Sequence, residues 1–221
     1  MPDREADLRS RANNRSSRAE PVVQTEFSPV WPGSKHNPQA QSVGHGGKKG
    51  GLFMSLQVYM AKPNPAGKDK TGAGVPKPEQ LVAEWVDVKN VGSESIRFST
   101  IALHHTLYGA RCESTDKTEC YWQGNGDETL KPGEVLRVHT GKREHRDLLS
   151  GEDDGNVSWR AFAGRGNFVL NNRCGDRIYV TWRNHAGPQL QDDASYDPNP
   201  PEGAILKRAG NKLVPAPVYA W

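Results

Sequence analysis

Two of the three cysteines lie close together, at Cys112 and Cys120, with seven polar residues between them. This spacing fits a disulfide across the tip of a hairpin. In the chain-entropy model, closing so small a loop stabilises the folded state by roughly 2–3 kcal/mol. The spacing fits two free thiols equally well, because disulfides belong to oxidising compartments and no secretory signal is expected. A metal site shared with His104 or His105 is a third interpretation. Cys174 is predicted to be a lone thiol near a turn.

Histidine and acidic residues offer two further candidate metal sites. His104 and His105 are adjacent, and adjacent side chains of a strand point to opposite faces, so they do not easily bind one ion. Residues 152–156 form an acidic stretch with a glycine, whose oxygen atoms could bind Ca²⁺. The spacing of a recognised Ca²⁺ loop is missing, which favours a solvated loop. The sequence therefore predicts no metal site and no cofactor.

Motifs for catalysis are absent from the sequence. It contains no Gly-x-Ser-x-Gly, no His-Glu-x-x-His, no Walker loop and no Gly-x-Gly-x-x-Gly. Nucleophilic catalysis also needs Ser or Cys beside His and an orienting acid, and no such pattern stands out. We predict no catalytic residue and a protein that is not an enzyme.

The positive charge of the chain is concentrated near its start. The 221 residues include 29 Lys/Arg and 26 Asp/Glu, a net charge of +3. Residues 1–50 hold eight basic and five acidic residues, which leaves 21 of each for the remainder. Residues 21–51 contain four prolines and a tract rich in glycine and lysine. This composition predicts an N-terminal arm over residues 1–51 that is disordered, or ordered on a partner.

Two kinds of partner fit the arm. Three apolar side chains could anchor it to protein subunits of a larger assembly, and four arginines could pair with the phosphates of a nucleic acid or another anionic surface. Neighbouring acids dilute the charge of the arginines, and ordinary solvation also explains them. The candidate contact residues are Arg9, Arg11, Arg15, Arg18, Phe27, Val30 and Trp31.

Hydropathy limits where the protein resides. No stretch approaches 18 apolar residues, so no membrane span is predicted. Residues 1–18 are polar and charged, without the apolar core of a secretory signal. A cytoplasmic location fits, as does a place in a particle such as a virion, and exposure outside the cell is also compatible.

Alternating apolar and polar residues predict strands from residue 52 to residue 214, followed by a tail of residues 215–221. Leu56, Val58 and Met60 share one face of a first strand. A second strand is predicted over residues 81–88, and a break near Ser99-Thr100 should divide residues 95–107. No helix longer than two turns is expected. Many short strands separated by turns indicate an all-β fold of the sandwich type.

Turn signals separate these strands. Lys131-Pro132-Gly133-Glu134 is a type II turn signal, with Pro at the second position and Gly at the third. Glu84 is read as a buried, hydrogen-bonded acid or a group at a strand edge. The residues predicted to form structural turns are Asn90, Pro132, Gly133, Asn172 and Gly175.

Five blocks of sequence, in this order, resemble bacterial lamin tail domains. They are residues 56–69 (LQVYMAKPNPAGKD), 84–90 (EWVDVKN), 130–138 (LKPGEVLRV), 170–180 (LNN followed by GDRIYV) and 192–196 (DDASY). A Gly-Trp pair common after the third strand of that family is missing here, and the loops after Tyr108 and Thr140 are longer than usual.

The resemblance implies an immunoglobulin-like β-sandwich that acts as an accessory or interaction module, without catalytic residues. Members of that family are associated with DNA, protein and membrane-lipid partners, and some lie beside bacterial hydrolases. We therefore expect a structural or interaction protein, such as a decoration, connector or surface component of an assembly. Nucleic-acid or anionic-surface binding is the alternative, and an accessory domain of a hydrolase is the third.

Overall fold

Strands make up most of the part of the chain that the computed structural model describes, residues 55–155 and 157–216. Helices are few and short, so the predicted all-β class is confirmed. All described residues belong to one unit of the chain. The elements are β1 (Leu56–Lys62), α1 (Pro78–Ala83), β2 (Trp85–Asn90), β3 (Ile96–Arg97), β4 (Ile101–Tyr108), β5 (Ser114–Gln123), β6 (Thr129–Leu130), β7 (Val135–His139), α2 (Gly151–Asp154), β8 (Trp159–Phe162), β9 (Asp176–Asn184), β10 (Gly187–Tyr196), β11 (Leu206–Ala209) and β12 (Lys212–Pro215), with 3₁₀ turns at Phe98–Thr100 and Arg143–Leu148.

Ten of these strands form one large sheet, in the order β5-β4-β9-β10-β12-β11-β1-β2-β7-β8, while β3 and β6 pair separately. Neighbours are antiparallel except for β10 with β12 and β7 with β8. The sheet curls until its two ends approach each other. Arg165, just after β8, donates from its guanidinium to the carbonyl oxygens of Tyr121 and Cys120 on β5, at 3.1 and 3.0 Å. The sheet therefore nearly closes on itself.

The apolar core lies inside this curled sheet. Strand alternation places Leu56 and Val58 of β1 there, but the pairing of β1 with β2 then shifts by one residue. This bulge turns Ala61 inward, while Met60 is only half-buried. Burying each large aliphatic side chain contributes about 1.5–3 kcal/mol. The core is completed by residues such as Val86, Val88, Ile101, Leu103, Leu136, Ile178, Val180, Leu206 and Leu213.

One predicted strand is partly wrong. Residues 81–83 belong to α1, and β2 begins only at Trp85. Pro78 at the start of α1 suits the first turn of a helix because its φ is already helical and its missing N–H needs no partner there. The adjacent Leu81 and Val82 are both buried, which strand alternation does not allow on one face.

The predicted break near Ser99-Thr100 is confirmed. A 3₁₀ turn at Phe98–Thr100 separates the short β3 from β4. This change of direction moves the chain from the small sheet into the large one, where β4 lies between β5 and β9. Among the helices of the described residues, none is long and apolar enough to cross a membrane.

Candidate functional site

Strand β4 carries the two adjacent histidines to different environments. His104 is half-buried, and its Nε2 lies 3.2 Å from Thr181 Oγ1 on β9. His105 is buried, and its Nδ1 lies 3.2 Å from Asp176 Oδ2 at the start of β9. Strand geometry therefore separates the pair, as adjacent positions on one strand require.

A cleft of about 420 Å³ opens beside His105. One wall is the end of β4, residues 105–108, and the other is the segment 168–173 that precedes β9. We call residues 168–173 the cleft wall. Tyr108 and Phe168 contribute aromatic surface, and Asp69 and Arg173 contribute opposite charges. This mixed lining suits the binding of a polar ligand or peptide segment.

His105 lies between two carboxylates. Its Nδ1 faces Asp176, and its Nε2 is 3.7 Å from Glu119 Oε2 on β5. Burial alone would lower the pKa of His105, but the hydrogen bond and charge of Asp176, together with Glu119, raise it overall. A general base needs an unengaged ring nitrogen facing its substrate. This arrangement instead favours a charged imidazolium that donates on both sides.

Asp176 ties the cleft wall to β4. Its Oδ1 accepts from the backbone N–H groups of Thr106 and Arg177, at 3.2 and 2.7 Å. Its Oδ2 accepts from the backbone N–H of Asn171 at 3.1 Å, besides facing His105. Both oxygens of this buried carboxylate are thus occupied by groups of the fold.

Glu84, between α1 and β2, holds the cleft wall from the other side. Its Oε1 accepts from the Thr140 hydroxyl at 2.7 Å and from the backbone N–H groups of Val169 and Leu170 at 2.9 and 3.3 Å. Burial raises the pKa of Glu84 to about 7, against the opposing effect of these hydrogen bonds. Three consecutive amides of the wall, residues 169–171, therefore bind buried carboxylates.

The disulfide lies next to this cleft and differs from the predicted one. Cys112 is bonded to Cys174, and Cys120 is a free, exposed thiol. Pairing of Cys112 with Cys120 is wrong because residues 114–123 form an extended strand. Ser114 pairs with Tyr108 and Cys120 with His104, so Cys120 lies four residues of β4, or about 13 Å, beyond Ser114, which is farther than a disulfide's reach. The bond joins the turn after β4 to the residue that follows the cleft wall.

The acidic stretch predicted to be a solvated loop is instead part of a buried charge network. Asp153 on α2 is 3% exposed and accepts from Lys62 Nζ at 2.7 Å and from Trp85 Nε1 at 2.9 Å. Arg137 donates to both oxygens of Asp87, at 2.7 and 2.9 Å, and its guanidinium lies 3.6 Å from the centroid of Trp85. This network fixes α2 against β1, β2 and β7.

No group of three or more His, Cys, Asp or Glu side chains within residues 55–155 and 157–216 is arranged to hold a metal ion. The candidate contacts of the N-terminal arm lie outside the described residues, namely Arg9, Arg11, Arg15, Arg18, Phe27, Val30 and Trp31.

Asn90 joins three stretches of chain. Its Nδ2 donates to the carbonyl oxygens of Glu94 and Leu130, both at 2.8 Å, and its Oδ1 accepts from the Gly92 N–H at 3.0 Å. The carbonyl oxygen of Asn90 also accepts from the N–H of Gly133 at 2.8 Å.

The remaining turn residues lie in the connections that precede β7 and β9. The turn that contains Pro132 is closed by a bond from Glu134 N–H to Lys131 O at 3.1 Å, and Gly133 within it has a φ of +81°. Asn172 lies in the cleft wall. Gly175 has a φ of +71°, and a Cβ there would lie 2.4 Å from the carbonyl oxygen of Tyr196. A side chain at Gly175 would therefore push β9 away from the end of β10.

Sequence reasoning treated Asp176 only as part of a turn and left the role of Glu84 open. Glu84 directly precedes the buried Trp85, and Asp176 shares a strand face with the buried Ile178, which is a signal for a buried carboxylate that must find donors. Their shared target, the amides of the cleft wall, is about 85 residues from Glu84 along the chain. A contact between residues so far apart in the chain cannot be predicted from local sequence patterns.

No family model matches the chain, and no curated protein matches its sequence.

Proposed function

We propose that this protein is a non-enzymatic structural or interaction protein that attaches to partner subunits of a larger assembly through its N-terminal arm. In this proposal the body is an immunoglobulin-like β-sandwich of the lamin-tail type. The five sequence blocks that resemble that family support the assignment, together with the strand-rich fold. Curling of the ten-stranded sheet is compatible with two facing layers joined at one end.

The observation that carries the proposal is that the buried acids of the described residues bind groups of the fold. Asp176 and Glu84 bind backbone amides of the cleft wall, and Asp87 and Asp153 pair with Arg137 and Lys62. Asp192 forms two bonds to Arg208, at 2.7 and 2.9 Å. A catalytic carboxylate has to face its substrate instead. The buried polar groups thus support a rigid body that presents loops and an arm.

Site-specific photo-crosslinking in the native host tests the arm as the point of attachment. A photoreactive residue replaces Phe27 or Trp31 in the arm. Because large apolar side chains dominate contact energies at protein interfaces, we expect crosslinks to one discrete subunit from both positions. The control position is Val75, a residue of the body that is 58% exposed. Equal crosslinking from Val75 and from the arm, or none from the arm, would contradict the proposal.

A further inference from the structure

Among the buried side-chain atoms without a hydrogen-bond partner in the described part of the chain, three are oxygen atoms of an acid and two tyrosines. They are Glu84 Oε2, Tyr121 OH and Tyr196 OH. The residues are 0%, 3% and 3% exposed. Unpaired buried polar groups are rare in folded proteins, and each costs about 1–3 kcal/mol. For Glu84 the unpaired Oε2 disfavours the charged carboxylate, whereas the three donors to Oε1 favour it.

Electrostatics place the three groups in one cluster. The charge of Glu84 acts on both tyrosine hydroxyls, and Asp176 acts on all three groups. Tyr196 is also opposite Asp176 in the pairing of β9 with β10. The ring of Tyr121 meets that of His105 edge to face at 6.0 Å. The cluster thus lies directly behind the cleft wall.

We propose that Glu84 is a proton-operated switch of the cleft, whose ionisation tightens the hydrogen bonds that hold the wall at Val169 and Leu170. This inference goes beyond the proposed attachment function and does not depend on it.

The neutral and ionised forms of Glu84 differ in the hydrogen bonds that their two oxygens can form. Oε1 already accepts three donors, so the proton of the neutral acid belongs on Oε2, which has no partner among the described residues. In the ionised form both oxygens carry the negative charge. The amides on Oε1 then bind a carboxylate, and such charge-assisted bonds are shorter and roughly twice as strong.

The surroundings make this switch operate near neutral pH. Thr140 of the β7–α2 connection and the two wall amides favour the anion, while burial and the charge of Asp176 on β9 oppose it. Tyr121 on β5 and Tyr196 on β10 are the other titratable groups that interact with Glu84. None of the ion pairs among the described residues gives Glu84 a Lys or Arg partner. The pKa of about 7 agrees with this balance.

Nuclear magnetic resonance of the full chain between pH 5 and pH 8 tests the switch. The side-chain carboxyl ¹³C signal of Glu84 reports its ionisation, and the amide ¹H and ¹⁵N signals of Val169 and Leu170 report the wall. We expect all of them to titrate together with one midpoint near 7. The amide protons should move downfield as the pH rises, since shorter hydrogen bonds deshield them. Amides that stay constant while Glu84 titrates would overturn the inference.

Three variants separate the switch from a purely structural role of Glu84. Glu84→Gln keeps an acceptor oxygen but cannot ionise, so the shared step in both amides should disappear. Thr140→Val removes the hydroxyl that donates to Oε1 at 2.7 Å and should raise the midpoint by at least half a pH unit, which keeps the test valid if Glu84→Gln does not fold. Asp69→Asn, on the cleft rim, should leave the midpoint unchanged. A shared step that persists in Glu84→Gln, or an unmoved midpoint in Thr140→Val, contradicts the switch.

Discussion

At the scale of single residues, the interior holds two titratable side chains whose pKa values move in opposite directions. Burial raises the pKa of Glu84 from 4.5 to about 7 and lowers that of His139 from 6.5 to about 4. His139 donates from Nδ1 to the carbonyl oxygen of Val82 at 2.6 Å and stacks on Phe162. Its neutral form is therefore the one that the fold accommodates.

These shifts make opposite contributions to stability between pH 4.5 and pH 6.5. Neutral Glu84 stabilises the fold, so its contribution is full below pH 4.5 and is lost as the pH rises to 7. Neutral His139 also stabilises the fold, so its contribution is full above pH 6.5 and is lost as the pH falls to 4. Each amounts to roughly 3 kcal/mol, and the two nearly cancel over the shared range.

Single substitutions should uncover each contribution. In Glu84→Gln, the unfolding free energy should rise with pH from 4.5 to 7 by roughly 3 kcal/mol relative to the wild type. In His139→Asn, which keeps a donor towards Val82, it should fall over pH 4–6.5 by a similar amount. Urea unfolding at half-unit pH steps measures both. Variant profiles that run parallel to the wild-type profile would show that neither group titrates as inferred.

The buried ion pair between Arg137 and Asp87 gives a second prediction at this scale. Arg137→Met leaves a buried carboxylate without its cation and should lower the unfolding free energy by about 3–5 kcal/mol. Adding Asp87→Leu removes the stranded charge and should recover part of that loss. Urea unfolding of the single and double variants measures the difference. A double variant less stable than Arg137→Met would contradict the role given to this pair.

At the scale of elements, the disulfide joins the turn after β4 to the end of the cleft wall, over a sequence separation of 62 residues. In the chain-entropy model a loop of this length contributes about 4 kcal/mol. Cys112→Ser with Cys174→Ser should therefore lower the unfolding free energy by up to that amount. Cys120→Ser is the matched control and should unfold like the wild type. A similar loss in Cys120→Ser would instead support the predicted Cys112–Cys120 pairing.

The open end of the sheet at β5 is protected by features of its own. Asp116 has a φ of +55° where the pairing of β4 with β5 is irregular, and Lys117 is exposed. Bulges and lysines discourage strand addition at sheet edges. Arg165 occupies the two carbonyl oxygens further along.

Arg165→Ala frees the carbonyl oxygens of Cys120 and Tyr121 and should lower the unfolding free energy by about 1–2 kcal/mol. It should also cause self-association that increases with concentration, because the edge becomes available for pairing. Sedimentation velocity over a tenfold range of concentration detects this. Arg173→Ala, at an exposed arginine of the cleft wall, is the control and should remain unchanged. Identical behaviour of the two variants would mean that Arg165 does not protect the edge.

Local sequence patterns predicted those strands and turns that depend only on neighbouring residues. Alternation located β1, β4 and β9, and the phase change at Ser99-Thr100 marked the 3₁₀ turn. The same rule failed at residues 81–83, because a short helix that buries adjacent side chains resembles a strand in apolar content. It also placed Met60 inward, because a bulge depends on the partner strand.

At the scale of the whole molecule, the cleft could not be predicted from the sequence. It depends on His105 and Asp176, which the pairing of β4 with β9 brings together, and on Glu84, before β2, which binds the amide of Leu170. The predicted pairing of Cys112 with Cys120 was wrong for the same reason, since the spacing of the cysteines does not reveal that residues 114–123 form a strand. Buried carboxylates that hold distant backbone segments thus shape this body.

Incorporation into the native assembly tests this account most directly. Tagged full-length chain and a variant lacking residues 1–50 are expressed in the native host, and their sedimentation in cell extracts is compared. Near-ultraviolet circular dichroism of the purified variant checks that the body is still folded. The account predicts that the full-length chain sediments with a large assembly and that the folded variant stays at monomer size. Equal incorporation of both chains would contradict attachment through the arm.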